Sequence, residues 1–185
     1  GTNYTCALSA DGTIRCWGSS YYGQLGNGTT TASSTPVYVS GINNAVALSA
    51  GYGHACAALS DGTVQCWGSN YYGQLGTGLT SEGISTPVTV SGINSAKAVS
   101  SGLSHSCAVL GDGTVRCWGS GTLGNGLPTQ SKLPIAVSGI STAVTVSSGY
   151  GHSCAVLANG TVQCWGINLS GQLGDGSTRQ GAAPP

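Results

Sequence analysis

The sequence predicts an all-β fold assembled from about four copies of one four-stranded unit, and three observations carry that prediction. The stretch Cys56-Ala-Ala-Leu-Ser-Asp-Gly-Thr-Val-Gln-Cys66-Trp67-Gly68 recurs at residues 6–18, 107–119 and 154–166. The second cysteines of the four copies, Cys16, Cys66, Cys117 and Cys164, follow one another at steps of 50, 51 and 47 residues. Each interval holds short apolar runs punctuated by Gly, Pro, Asn and Ser, as strands and turns require. A period near 50 residues is too long for most helical repeats and matches the four-stranded blade of a β-propeller.

The recurring stretch reads as a hairpin, with two apolar runs flanking Asp-Gly or Asn-Gly. If Cys56 faces Cys66, the connecting loop has an odd number of residues. Ser60-Asp61-Gly62 satisfies this, with Gly62 in the left-handed conformation of a bulged turn. Leu59 then lies beside Thr63 and Ala58 opposite Val64. Directly opposed strand residues stand at a separation that overlaps the range of a disulfide. The expected pairs are Cys6 with Cys16, Cys56 with Cys66, Cys107 with Cys117 and Cys154 with Cys164, each stapling a hairpin at its open end. Each closed loop is worth on the order of 2–3 kcal/mol by chain entropy.

Between hairpins the chain runs through a glycine-rich loop, Tyr21-Tyr22-Gly23-Gln24-Leu25-Gly26 in the first period and Tyr71-Tyr72-Gly73-Gln74-Leu75-Gly76 in the second. A short strand follows, opened by Pro36 in the first period, and a leading proline suits a sheet edge. A turn at residues 40–44 and a strand from Ala45 to Ser49 lead to the next hairpin. The count is four strands per period: Val37–Val39, Ala45–Ser49 and the two hairpin arms. The third period lacks the Tyr-Tyr-Gly-Gln segment, so its loop at Gly119–Gly124 is three residues shorter. The whole chain, 1–185, is expected to form one repeat array, divided as a partial blade 1–36 and repeats 37–87, 88–134 and 135–185. Only the fourteen residues equivalent to Val37–Ala50 are wanting for four whole periods. The expected array is open, or completed by neighbouring sequence or another copy, and its glycine start reads as a processed or excised end.

Composition narrows the function classes. Five basic and five acidic residues give zero net charge, and charged residues make up 5% of the chain. Neither a basic stripe for a phosphate backbone nor an acidic block for a basic partner is present, which disfavours nucleic-acid binding. The longest apolar run is too short to span a membrane. Eight cysteines in four equally spaced pairs indicate a disulfide framework, hence an oxidising, extracellular or cell-surface address.

With Cys-Ala-x-Leu-x-Asp-Gly-Thr-Val-x-Cys-Trp-Gly and Gly-Gln-Leu-Gly in place, the chain resembles the regulator of chromosome condensation repeat family over essentially all of its length. The resemblance implies a β-propeller of roughly 50-residue blades. Members usually close at seven blades, so four copies depart from the pattern. The name-giving activity, nucleotide exchange on a small nuclear GTPase coupled to chromatin binding, is the least favoured reading, because the matched motifs build blades rather than an exchange site. The paired cysteines look more like the extracellular branch, in which the propeller presents loops to other proteins.

Candidate functional residues are few. His54, His105 and His152 each precede a cysteine by two residues and share its strand face. One His and two Cys per blade leave a zinc site one ligand short, Tyr4 replaces the histidine in the first copy, and paired cysteines offer no thiolate. The histidines are therefore expected to be buried, hydrogen-bonded structural residues, with no metal and no cofactor. Asp11, Asp61, Asp112 and Asn159 share a turn position that their own backbone bonding explains. No catalytic motif is found. Trp17, Trp67, Trp118 and Trp165 recur in phase as packing residues. Tyr21, Tyr22, Tyr71 and Tyr72 sit in long loops and are the candidate interface residues. Asn3, Asn27, Asn159 and Asn168 open Asn-x-Ser/Thr sequons and are candidate glycan acceptors.

The expected function is non-enzymatic: an extracellular structural or adhesive scaffold, assembling head to tail into a filament through open blade edges. The alternative is a secreted protein-recognition module within a closed seven-bladed propeller. The expected partner is a second copy or another extracellular protein.

Overall fold

A computed structural model describes residues 1–127 and 130–179. Fourteen strands follow in order: β1 (Tyr4–Leu8), β2 (Ile14–Gly18), β3 (Ser33–Tyr38), β4 (Ala45–Ala50), β5 (His54–Leu59), β6 (Val64–Asn70) and β7 (Ser81–Thr89) form the first half. The second half comprises β8 (Ala96–Ser101), β9 (His105–Leu110), β10 (Val115–Gly119), β11 (Ser131–Ala136), β12 (Ala143–Ser148), β13 (His152–Leu157) and β14 (Val162–Gly166). They make four antiparallel sheets: β1-β2-β3, β4-β5-β6-β7, β8-β9-β10-β11 and β12-β13-β14.

The hairpin chemistry sets the local register. Cys56 stands opposite Cys66 and Ala58 opposite Val64, with a disulfide joining the pair across a Cα separation of 4.0 Å. The same bond joins Cys6 to Cys16, Cys107 to Cys117 and Cys154 to Cys164. At the closed end Leu59 N–H donates to the Thr63 carbonyl, and Gly62 turns the chain with φ of 83°. Asp61 Oδ1 accepts from the Thr63 amide and hydroxyl, at 2.9 and 2.7 Å. Asp11, Asp112 and Asn159 repeat the arrangement with Thr13, Thr114 and Thr161. The Thr hydrogen bonds hold the three aspartates below the usual carboxylate range.

Sheets are grouped differently from the divisions expected at residues 37, 88 and 135. Strand β3, which starts three residues ahead of Pro36, hydrogen-bonds to β2 of the preceding hairpin, so it closes one blade instead of opening the next. A whole blade thus runs from Ala45 to Thr89 and a second from Ala96 to Ala136. The physical reason lies in the partner: β4 takes the free side of β5, leaving β6 as the open edge for the strand that comes after it. By the repeat, the next edge strand is due to start at Ala183-Pro184-Pro185, which lies outside the described residues.

Blades stack face to face, and the core lies between them in three layers. Strand β5 is buried along its whole length because Ala55, Ala57 and Leu59 pack toward the first blade while Cys56 and Ala58 pack toward the third. The first three disulfides fill the inter-blade layers, Cys56–Cys66 together with Val64, Leu75 and Trp118, so those staples are also core side chains, while Cys154 and Cys164 are half-buried. The inner strands are sewn together: Ser101 N–H donates to Ser49 Oγ at 2.9 Å and Ser148 N–H to Ser100 Oγ at 2.8 Å.

Candidate binding face

The glycine-rich loops after β2 and β6 carry the exposed tyrosines, and their own glutamines fold them. Gln24 Oε1 accepts from the Tyr22 amide and Gln74 Oε1 from the Tyr72 amide, both at 2.9 Å. Asn70 Oδ1 accepts from Leu75 N–H, and Gln74 Nε2 donates to Ser69 Oγ. Turning the amides inward leaves the aromatic rings on the outside: Tyr21 is 74% exposed, while Tyr71 and Tyr72 are also open to solvent. The first loop also reaches the second blade. Gly28 N–H donates to the Ser85 carbonyl, and a Cβ on Gly83 would stand 2.3 Å from the Tyr22 carbonyl oxygen. That contact brings Tyr22 edge-on to Tyr71 across the blade boundary, ring centres 5.7 Å apart, with Tyr21 edge-on to Tyr22 at 4.8 Å.

Stacking adds aromatics that the sequence reading did not single out. Tyr52, Leu103 and Tyr150 occupy the turn before the hairpin in successive blades and converge with the loop tyrosines. Their signal was present in the repeat, since Gly51-Tyr52-Gly53-His54 and Gly149-Tyr150-Gly151-His152 align. Two clefts result. One of about 230 Å³ is lined by Asn3, Ser19, Tyr21, Tyr22, Gln24 and Tyr52. The other, of about 420 Å³, is lined by Tyr22, Tyr52, Tyr72, Gln74, Ser104 and Tyr150 among others.

Beneath this face the histidines link blades. His54 Nε2 lies 2.9 Å from Ser106 Oγ and His105 Nε2 2.8 Å from Ser153 Oγ. Tyr4, at the histidine position of the first blade, faces Ala55 in the serine position, and its hydroxyl donates to the His54 carbonyl. Burial, followed by the neighbouring His105, holds His54 down to about 3; burial and His152 hold His105 down to about 4. All eight cysteines are in disulfides, so no sulfur beside these imidazoles is free to bind a metal. Trp67, Trp118 and Trp165 are fully buried against the preceding blade, whereas Trp17 is half-buried.

The sequon asparagines fall in unlike surroundings. Asn3 and Asn159 are exposed and Asn27 half-exposed. Asn168 is fully buried, its amide donating to the Ser177 carbonyl and its oxygen accepting from Leu173 N–H. A glycan has no room there, which removes Asn168 from the candidate acceptors.

The regulator of chromosome condensation (RCC1) repeat is matched at residues 11–58, 61–109 and 112–156, and a second form of it at 45–74, 96–125 and 143–172. No curated protein matches the chain by sequence. Among solved structures, human WBSCR16 superimposes on the whole chain with a TM-score of 0.92 at 24% identity, the match covering 50% of that protein. Prp20p from Saccharomyces cerevisiae, in a structure reported with its binding to Gsp1p and histones, gives 0.85 at 22% identity over 48% of its chain. The ectodomain of the Physcomitrella patens receptor kinase CR4 gives 0.62 at 24% identity, covering 96% of this chain and 43% of that one. The chain thus spans about half the length of the structures it resembles.

Proposed function

The chain belongs to the regulator of chromosome condensation repeat family, and from that membership we propose that it is a non-enzymatic, extracellular recognition module. The observation that carries this reading is the loop face: Tyr21, Tyr22, Tyr52, Tyr71, Tyr72 and Tyr150 crowd its clefts. Large, two-torsion aromatic side chains on loops anchored to rigid blades give contact area at low entropic cost. Four disulfides support an oxidising compartment. The near absence of charge offers neither the acidic surface a histone would want nor the basic one DNA would need. Whole-chain superposition on WBSCR16 supports ring-like curvature over a straight array.

The test is binding of the oxidised protein to an array of extracellular proteins and glycans, repeated with Tyr21→Ala/Tyr22→Ala and Tyr71→Ala/Tyr72→Ala double variants. Binding lost with an unchanged melting temperature supports the reading. Binding indifferent to all four tyrosines, or eight free thiols in the denatured unreduced protein, overturns it.

A second reading, a scaffold assembled head to tail, draws on one observation. Thr5 holds the repeat position of Ser106 and Ser153 yet is exposed, and His152 holds that of His54 and His105. A second copy would bring this hydroxyl to this imidazole by the pairing that joins the internal blades. Electron microscopy of the unreduced protein distinguishes filaments from discrete particles.

A further inference from the structure

We propose that the two clefts of the loop face are consecutive subsites for a neutral oligosaccharide. The proposal rests on the recognition-module reading and names its ligand class. The clefts are the same site built twice: Ser19, Tyr22 and Gln24 of the smaller stand fifty residues before Ser69, Tyr72 and Gln74 of the larger. Tyr52 and Gly53 line both, so the two are continuous. Neighbouring blades therefore offer equivalent chemistry at a fixed spacing, which suits a ligand made of repeating units.

Among the described residues, no formally charged side chain lines either cleft. The nearby carboxylate, Glu82, lies at the outer rim beside Tyr21 and Tyr22. A charged ligand would give up its hydration there with no ionic partner in return. A neutral sugar ring has what the clefts provide for, C–H faces to lay on tyrosine rings and hydroxyls to bond with phenolic oxygens and Ser104. Volumes of about 230 and 420 Å³ are of the order of small-ligand sites. The row stops where the sequence stops it: the shortened loop at Gly119–Gly124 carries no tyrosine.

The experiment is affinity electrophoresis of the oxidised chain through gels containing hydroxyethylcellulose, mannan or dextran, with alginate and heparin as anionic comparisons. The expected result is retardation by at least one neutral polymer, unchanged on raising salt to about 0.5 M, where ionic attraction is screened. Tyr22→Ala and Tyr72→Ala should each weaken it roughly tenfold, the usual effect of truncating an aromatic anchor. Tyr38→Ala, exposed on the outer strand beside Arg15, should leave it unchanged. No retardation by any neutral polymer, retardation by the anionic ones alone, or equal loss in Tyr38→Ala overturns the proposal. A protein ligand lost in Tyr22→Ala without saccharide binding would sink the oligosaccharide and leave the recognition module standing. If neither binds, both readings fall.

Discussion

His54 Nε2 donates to Ser106 Oγ across 2.9 Å, and the two residues belong to adjacent blades. The direction follows from the serine. Its single proton goes to the Gln74 carbonyl at 3.0 Å, the same oxygen that accepts Trp118 Nε1–H at 2.8 Å. The imidazole must then carry its hydrogen on Nε2, leaving Nδ1 bare, and Nδ1 has no hydrogen-bond partner among the described residues. One loop carbonyl thus ties the histidine, the serine and the tryptophan of two blades into one buried network.

Ser106→Ala should cost about 1–3 kcal/mol, because it strands the His54 N–H in a buried layer. Urea unfolding of the oxidised protein measures this. A double-mutant cycle with His54→Phe should return a coupling above about 0.5 kcal/mol. Additive losses would mean that the two side chains act independently.

Stability should fall on acidification. His54 and His105 are held down to about 3 and about 4 in the folded chain, against an ordinary value of 6.5. Both are neutral when folded at neutral pH, whereas the unfolded chain takes up their protons as pH drops through about 6.5. Their contribution is therefore full above that value and declines toward pH 4 and then 3, by up to about 1.4 kcal/mol per pH unit for each histidine. Urea midpoints at about pH 7.5, 6 and 5 should decrease in that order. A flat series would show that these imidazoles protonate in place.

Gly62→Ala should destabilise more than Gly160→Ala, although both residues hold φ of 83° in equivalent turns. The backbone penalty, roughly 1–3 kcal/mol for a non-glycine residue there, is common to both. A Cβ at Gly62 would also lie 2.4 Å from the Asn94 carbonyl oxygen, while one at Gly160 meets nothing within 4 Å. The difference in unfolding midpoint isolates the clash, and equal midpoints would show that the Asn94 turn yields.

The hairpins were legible because their determinants are local: a turn, an alternation and a cysteine pair lie within thirteen residues. The burial of His54 and His105 was legible from their phase with the cysteines, whereas His152, in the same phase, is only half-buried. The serine partners were missed, although the repeat shows the matched exchange, Tyr4 with Ala55 where other blades have His with Ser. Tyr52 and Tyr150 escaped because they meet only through stacking of blades 98 residues apart. The blade grouping escaped for a related reason: strand pairing is decided by which edge is free, and that depends on the whole sheet.

The shortened loop supplies the last prediction. Trp165 packs against Gly124 as Trp118 does against Gly76, yet its buried Nε1–H has no acceptor among the described residues. In the shortened loop Thr122 stands in the place of Gln24 and Gln74, whose carbonyls serve Trp67 and Trp118, and its carbonyl does not take the Trp165 hydrogen; Ser153 Oγ lies 3.0 Å from Ser148 Oγ. Replacing residues 119–124 by the sequence of residues 68–76 should restore the acceptor. The gain should be about 1 kcal/mol, a net hydrogen bond less the small entropy of a longer loop. Tryptophan side-chain hydrogen exchange reports on Nε1–H directly. Slower exchange at Trp165 with a higher urea midpoint is the expected pair of changes. A graft that folds but leaves that exchange unaltered would mean that the loop carbonyl is not what protects the tryptophans of the other blades.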